Sequence, residues 1–259
     1  MRPSASATRR TIDENIVYDS VERILEHERR KSLDYLINAL SERNIEDGYF
    51  TKHNDCTGCG VCSLICPTGA IKMEKGELGF VYPIRDKEKC ISCGKCINAC
   101  VNKSVKDTEH LTVGLQSVDD MVRMNSSSGG VFYEIASYVI RNGGIVAACR
   151  FDKNYKVIHD FCFSVSDLDA FCRSKYVQSD AYKIFEQTKK YLNEGRKVLF
   201  VGTPCQISAL NKYLDREYEN LFSVDLICGG VGAPGLWDKY LDYKKSFGDM
   251  KSIIILHLY

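Results

Sequence analysis

Cys56-Thr57-Gly58-Cys59-Gly60-Val61-Cys62-Ser63-Leu64-Ile65-Cys66-Pro67 and Cys90-Ile91-Ser92-Cys93-Gly94-Lys95-Cys96-Ile97-Asn98-Ala99-Cys100 are two copies of one pattern. Each reads C-x2-C-x2-C-x3-C, with every cysteine at the same place in both copies. Three thiols at steps of three wrap a tight turn around a cube of iron and sulfide. So short a loop does not reach the far iron, so the fourth thiolate comes from elsewhere. In the pseudo-twofold solution each motif lends its last cysteine to the other cluster. This predicts one 4Fe-4S cluster on Cys56, Cys59, Cys62 and Cys100. A second is predicted on Cys90, Cys93, Cys96 and Cys66.

Gly58, Gly60 and Gly94 allow backbone N–H groups to approach sulfide where a Cβ would obstruct. Pro67 follows the first motif, and Val101 stands at the matching place after the second. Structural zinc draws on paired C-x2-C units, and four-cysteine runs with three residues before the last fit it poorly. Over about 50 residues the segment resembles the two-cluster ferredoxin family, whose spacing this is.

The chain has 259 residues, enough for two modest domains, each with its own core. Net charge is +1 with both signs mixed along the chain, which points away from nucleic acid or an anionic membrane as the main partner. No apolar run reaches membrane-spanning length. Arg9-Arg10 is followed by Thr11-Ile12-Asp13-Glu14 and not by an apolar region, against a twin-arginine export signal. Thirteen cysteines with no signal peptide point to metal ligation in a reducing cytoplasm.

Residues 1–50 read as a polar tail, disordered over 1–12, followed by an amphipathic helix from about Ser20 to Arg43. Residues 51–108 form the cluster domain. Within it, Ala70–Met73 and Phe80–Pro83 flank a Gly76/Gly79 turn and read as a β-hairpin. So small a domain has little core, so the clusters are expected to hold its fold. Residues 109–123 read as a linker in which Leu115, Val118 and Val122 share a weak helical face.

From residue 124 to 259 the pattern turns α/β. It reads helix Val131–Arg141, strand Ile145–Cys149, strand Tyr155–Val165, helix Tyr182–Glu194 and strand Lys197–Val201. A helix capped by Thr203 and begun by Pro204 follows, then strand Leu221–Ile227, a helix from Pro234 and strand Ser252–Leu258. The fold class expected is an α+β ferredoxin-like two-cluster domain followed by an α/β domain with a mainly parallel sheet.

Three stretches of this half carry chemistry. Ser126-Ser127-Ser128-Gly129-Gly130 at a helix start is either an anion-binding turn or an ordinary serine cap. Cys205 lies in the first turn of a helix after a buried strand, at the sheet edge where ligands sit. Cys228-Gly229-Gly230 follows the next strand and emerges at the same edge. The two thiols read as half of a cluster site, a redox dithiol, or two bystanders. Arg173–Asp180 is a phosphate- or flavin-holding loop, or a solvated connection. Cys149, Cys162 and Cys172 read as small core residues.

Ser127–Phe132 (S-S-G-G-V-F), Ser174–Ser179 (S-K-Y-V-Q-S), Gly202–Gln206 (G-T-P-C-Q) and the Cys228-Gly229 turn, behind a ferredoxin unit, resemble the family of coenzyme F420 hydrogenase/dehydrogenase beta subunits. The resemblance covers about residues 50–247. It implies FAD, with Ser127, Ser128, Gly129, Gly130, Lys175 and Tyr176 at the flavin, and Cys205 and Cys228 as two ligands of a third 4Fe-4S cluster. It also implies electron exchange with a redox partner protein or diffusible carrier. The family continues further, with more cysteines and an acidic, aromatic motif. The resemblance therefore implies a C-terminally truncated member, its sheet, third cluster and flavin pocket incomplete.

The function expected is an iron–sulfur flavoprotein oxidoreductase component. The alternatives are a non-enzymatic ferredoxin-type relay with a docking or vestigial α/β domain, and a dithiol redox protein using Cys205 and Cys228. No G-x-G-x-x-G fingerprint occurs, so use of NAD(P)H has no support.

Overall fold

The computed structural model describes residues 56–101 and 113–246. The expected helix at Ser20–Arg43, the polar tail before it, the first part of the 109–123 linker and the strand at Ser252–Leu258 lie outside the described residues.

Gly60 and Gly94 occupy matching places in the cysteine repeat, and both take left-handed φ, +74° and +72°. Each opens a single helical turn: α1 (Val61–Leu64) and α2 (Lys95–Asn98). A left-handed residue reverses the chain so that a cysteine before the turn and one inside it face the same side. Between the motifs, β1 (Ile71–Lys75) and β2 (Val81–Arg85) pair antiparallel, from Ile71–Arg85 to Lys75–Val81. Gly79 N–H donates to the Gly76 carbonyl at 2.9 Å and closes the hairpin expected there.

The linker differs from expectation. Leu115 and Val118 lie outside any helix and are exposed, and only α3 (Asp120–Met124) is helical. The Asp119 carboxylate accepts from the Met121 N–H at 2.8 Å, so it caps the helix and fixes its start.

The α/β half runs α4 (Val131–Arg141), β3 (Ile145–Phe151), β4 (Val157–Cys162), a 3-10 turn (Val165–Ala170), another (Ala181–Ile184), α5 (Phe185–Asn193), β5 (Val198–Gly202), α6 (Pro204–Leu214), β6 (Leu221–Asp225) and α7 (Pro234–Ser246). Sheet order is β4-β3-β5-β6. The β3–β5 and β5–β6 pairs are parallel, whereas β4 pairs antiparallel with β3. The sheet is thus mixed, because a five-residue connection (152–156) makes a hairpin and is too short for a crossover. Helix α5 begins later than the apolar pattern suggests, with its first turn wound as 3-10. Strand β6 stops at Asp225, since its register with β5 ends at Gly202–Asp225. Leu226 N–H still donates to the Gly202 carbonyl at 2.8 Å, and the chain leaves the sheet at Ile227.

Alternate residues of the central strands feed two cores. Val198 and Phe200 of β5 and Ala147 of β3 pack with Phe185, Leu192, Ile207, Leu210 and Leu214. Leu199, Val201, Val146 and Ala148 pack with Ala136, Val139, Leu168 and Phe171 on the other face. Val61 of α1 and Ala99 beside α2 are buried in the first of these cores, with Cys59, Leu64 and Ile65 against it. The described residues, 56–101 and 113–246, fall in one compact unit. The cluster segment therefore shares apolar burial with the sheet, in addition to any hold the clusters provide.

Candidate functional site

The repeat brings its cysteines into two groups. Burial pushes the Cys56 thiol up, and the nearby Cys100 sulfur adds to the rise, so the last cysteine of the second motif lies beside the first. Cys62 is pushed up to about 12, first by burial and then by Cys59 and Cys56. Cys96 is raised by burial and by Cys66 and Cys90, so the last cysteine of the first motif lies beside the second. Burial also acts against the Cys66 thiolate, but hydrogen bonds from Thr68, Ala70 and Ile71 outweigh it and lower its pKa. Protons held on the raised thiols must leave when iron binds.

Cys66, Cys90, Cys93 and Cys96 line a hollow of about 140 Å³. Ile71, Arg85 and the 91–97 loop complete its wall. Arg85 Nε is buried there without a hydrogen-bond partner. Among the described residues, no three His, Cys, Asp or Glu side chains converge as a single metal ion requires. In this group the four thiols surround a space instead.

A cleft of about 960 Å³ opens at the carboxyl ends of β5 and β6. Its wall includes Ser126–Gly130, Arg173–Ser179, Gly202–Gln206 and Leu226–Val231. Ser127, Ser128, Gly129, Gly130, Lys175, Tyr176, Cys205 and Cys228 thus all meet at one site. Cys56, Thr57 and Gly58 of the first cluster loop also line it. Cys205 is close enough to Cys59 to add to the rise in that thiol's pKa, after burial.

The cleft wall is tied together by polar side chains. Gln178 Nε2 donates to the Thr57 carbonyl at 2.8 Å. Gln206 Oε1 accepts from Thr203 N–H at 3.0 Å, which fixes its amide orientation. Gln206 Nε2 then donates to Ser179 O at 3.0 Å and to Ser179 Oγ at 3.1 Å. His159 Nε2 lies 3.0 Å from the Val201 carbonyl and must donate to it. His159 Nδ1 therefore accepts from Ser179 Oγ at 2.7 Å. Burial pushes the pKa of this histidine down to about 4, against the opposing effect of the Val201 carbonyl. Gly232 N–H donates to Tyr176 O at 3.3 Å and links the 174–179 loop to the Cys228 loop.

Gly130, at φ +80°, precedes α4, and no side chain caps that helix. The serine-cap reading therefore fails. Ser126 Oγ donates back to Val122 O at 2.7 Å, and Ser127 Oγ accepts from Ser174 N–H at 2.8 Å. The cations of the 173–176 loop are already engaged. Arg173 donates to Asn125 O and Oδ1 at 3.2 and 3.3 Å. Lys175 Nζ donates to Phe171 O and Cys172 O at 2.9 and 2.6 Å, and its burial lowers its pKa. Cys162 and Cys172 are buried, as expected, but Cys149 is half-buried and lines the cleft. Gln178, Ser179 and Gln206 fall within stretches the sequence singles out, whereas Arg85 and His159 were not apparent as site residues from the sequence. A polar residue at an apolar strand position was the only available signal, at Arg85 and His159.

Four thiols line one hollow, and the first cysteine of the repeat lines the cleft at the sheet edge with Cys205 and Cys228, a donor set suited to iron–sulfur clusters. Residues 55–105 match a 4Fe-4S dicluster domain, and residues 195–255 match the C terminus of the coenzyme F420 hydrogenase/dehydrogenase beta subunit. In these two segments the chain is similar to ferredoxin-type 4Fe-4S domains and to coenzyme F420 hydrogenase/dehydrogenase beta subunits. It is 24% identical over 193 residues to the F component of the F(420)H(2) dehydrogenase of Methanosarcina mazei, covering 68% of this chain and 54% of that one. It is 24% identical over 216 residues to the coenzyme F420-dependent sulfite reductase of Methanocaldococcus jannaschii, covering 78% of this chain and 33% of that one. The cluster segment is 40% identical over 52 residues to Ferredoxin-1 of Rhodobacter capsulatus, 18% of this chain and 72% of that one. The chain thus spans about half, or less, of the two longer relatives. Among the described residues, no helix is long and apolar enough to cross a membrane.

Proposed function

We propose that the cleft binds FAD and that two 4Fe-4S clusters carry electrons between it and a redox partner protein. The observation that carries this reading is the position of Cys56–Gly58 in the wall of the cleft that Ser127–Gly130, Lys175 and Tyr176 line. Its volume lies within the range of ligand pockets, and the uncapped start of α4 offers N–H groups to an anionic group. A bound flavin would supply exchange between two-electron and one-electron chemistry.

Cys56, Cys59, Cys62 and Cys100 hold the cluster next to the cleft in this reading. Cys90, Cys93, Cys96 and Cys66 hold the distal one, and Arg85 Nε supplies an unspent donor toward it. Gln178 keeps the first cluster loop in the cleft wall. The distal hollow is bounded by exposed Cys93 and Ile91, which gives a partner access. Cys205 and Cys228 supply two thiolates, half of a four-thiolate set, so no step is routed through a third cluster.

A second reading has one observation in its favour. Arg173 and Lys175 are both bonded to protein oxygens. A relay with no flavin would need neither cation. Anaerobic purification with iron, sulfide and flavin quantified decides between them, with spectra before and after dithionite. About eight irons per chain with stoichiometric FAD is the expected result. Clusters without flavin favour the relay, and a chain with neither overturns both.

A further inference from the structure

We infer that Arg85 tunes the distal cluster, raising its reduction potential. The inference rests on the two-cluster reading above.

Strand β2 departs from its own pattern at this point. Val81 and Pro83 are buried, so residues 81, 83 and 85 share the inward face. Ile84, an apolar residue, instead points outward and is 40% exposed. An apolar residue at 85 and a polar one at 84 would satisfy the strand; the chain has the reverse. Arg85 Nε is buried without an acceptor, alone in this among the side-chain nitrogens and oxygens of the described residues. Leaving such a donor unpaired costs stability. Such local violations concentrate at functional sites.

The hollow that Arg85 lines holds Cys66, Cys90, Cys93 and Cys96. A cluster held by those thiolates presents sulfur acceptors to the unpaired N–H. Adding one electron to a 4Fe-4S cluster adds one negative charge to it. A guanidinium that donates to cluster sulfur stabilises the reduced form more than the oxidised form. Hydrogen bonds to sulfur and local net charge both set cluster potential. Register places Arg85 opposite Ile71, another wall residue, so the hairpin holds the side chain at the hollow.

The experiment is an anaerobic redox titration followed by EPR, on wild type, R85M and R85K, with iron and sulfide quantified. The distal signal is the one altered by C93S. In R85M its potential is expected to fall by about 59 mV, a tenfold change in a one-electron equilibrium, while the other signal stays fixed. R85K keeps the charge but moves the donors from the Nε position to the end of a flexible stem, and is expected to fall between. A distal potential unmoved in iron-replete R85M overturns the inference and leaves the two-cluster reading standing. If R85M loses distal iron, R85K decides: a lowered potential supports the inference and an unmoved one overturns it. Wild type holding one cluster overturns both.

Discussion

Gln178 and Thr57 lie far apart in the sequence, yet Gln178 Nε2 donates to the Thr57 carbonyl at 2.8 Å. Through this bond the Cys56 loop and the 174–179 loop form one continuous wall. The same amide approaches Gly58, where an added Cβ would stand 3.2 Å from it and 2.8 Å from Val81 O. Q178A is expected to cost about 1 kcal/mol and to lower Tm by about 2–4 °C. Iron content should stay unchanged while reduction of the clusters through the cleft slows. Thermal melts and stopped-flow bleaching of the clusters check this. Unchanged reduction kinetics would mean that the bond has no part in coupling the two sites.

Gly60 pairs a left-handed backbone with contact against Tyr182, whose ring an added Cβ would overlap. G60A is expected to lose about 1–2 kcal/mol to the backbone and a further 1–3 kcal/mol, roughly, to overpacking. Gly94 takes the same left-handed conformation with open space around it, so G94A should show the backbone cost alone. Chemical denaturation of both variants measures the difference. Adding Y182A to G60A should recover the overpacking part.

His159 gives a pH dependence. Its pKa is pushed down to about 4 by burial, below the ordinary value of about 6.5. Between those values the unfolded chain binds the proton and the folded one does not. Stability contributed by the neutral ring is therefore fully present above about pH 6.5 and lost as pH falls to about 4, up to roughly 3 kcal/mol. Protonating Nδ1 would leave the Ser179 hydroxyl, already accepting from Gln206, without its acceptor. H159Q should flatten the slope of stability with pH in this window, as followed by urea midpoints. An identical slope would place the titrating group elsewhere.

Cys59→Ser should remove about half of the iron and the visible absorbance that accompanies it. Because Val61 and Ala99 are buried with Phe185 and Phe200, the defect should also lower the cooperative unfolding transition of the sheet. Iron analysis and far-UV circular dichroism melts test the two parts separately. Full iron content in C59S would show the ligand assignment to be wrong.

Much of this arrangement was legible in the residues themselves. Cysteine spacing gave the grouping of Cys56 with Cys100 and of Cys66 with Cys90 and Cys96. Apolar periodicity gave α4 with its observed ends and the buried strand β5. The Thr203-Pro204 pair gave the start of α6. What escaped depended on distance through space. Periodicity carries no strand direction, so the antiparallel β4 needed the short 152–156 turn to be weighed against the general α/β pattern. Val118 has the spacing to extend a helical face, but the Asp119 cap starts the helix after it. Gln178 and Gln206 stand in stretches the sequence singles out, but their partners Thr57 and Ser179 are brought to them only by the fold.

The interior position of Val61 and Ala99 has a bearing on how such chains can be rebuilt. A ferredoxin taken from another source could not simply be spliced in as a cassette. The donor would have to offer small aliphatic side chains at those two places, matched in shape to Phe185 and Ile207, or the hybrid would carry a gap or a clash where its halves meet. Swapping cofactor carriers on this scaffold is therefore a problem of fitting surfaces, with linker length a secondary matter.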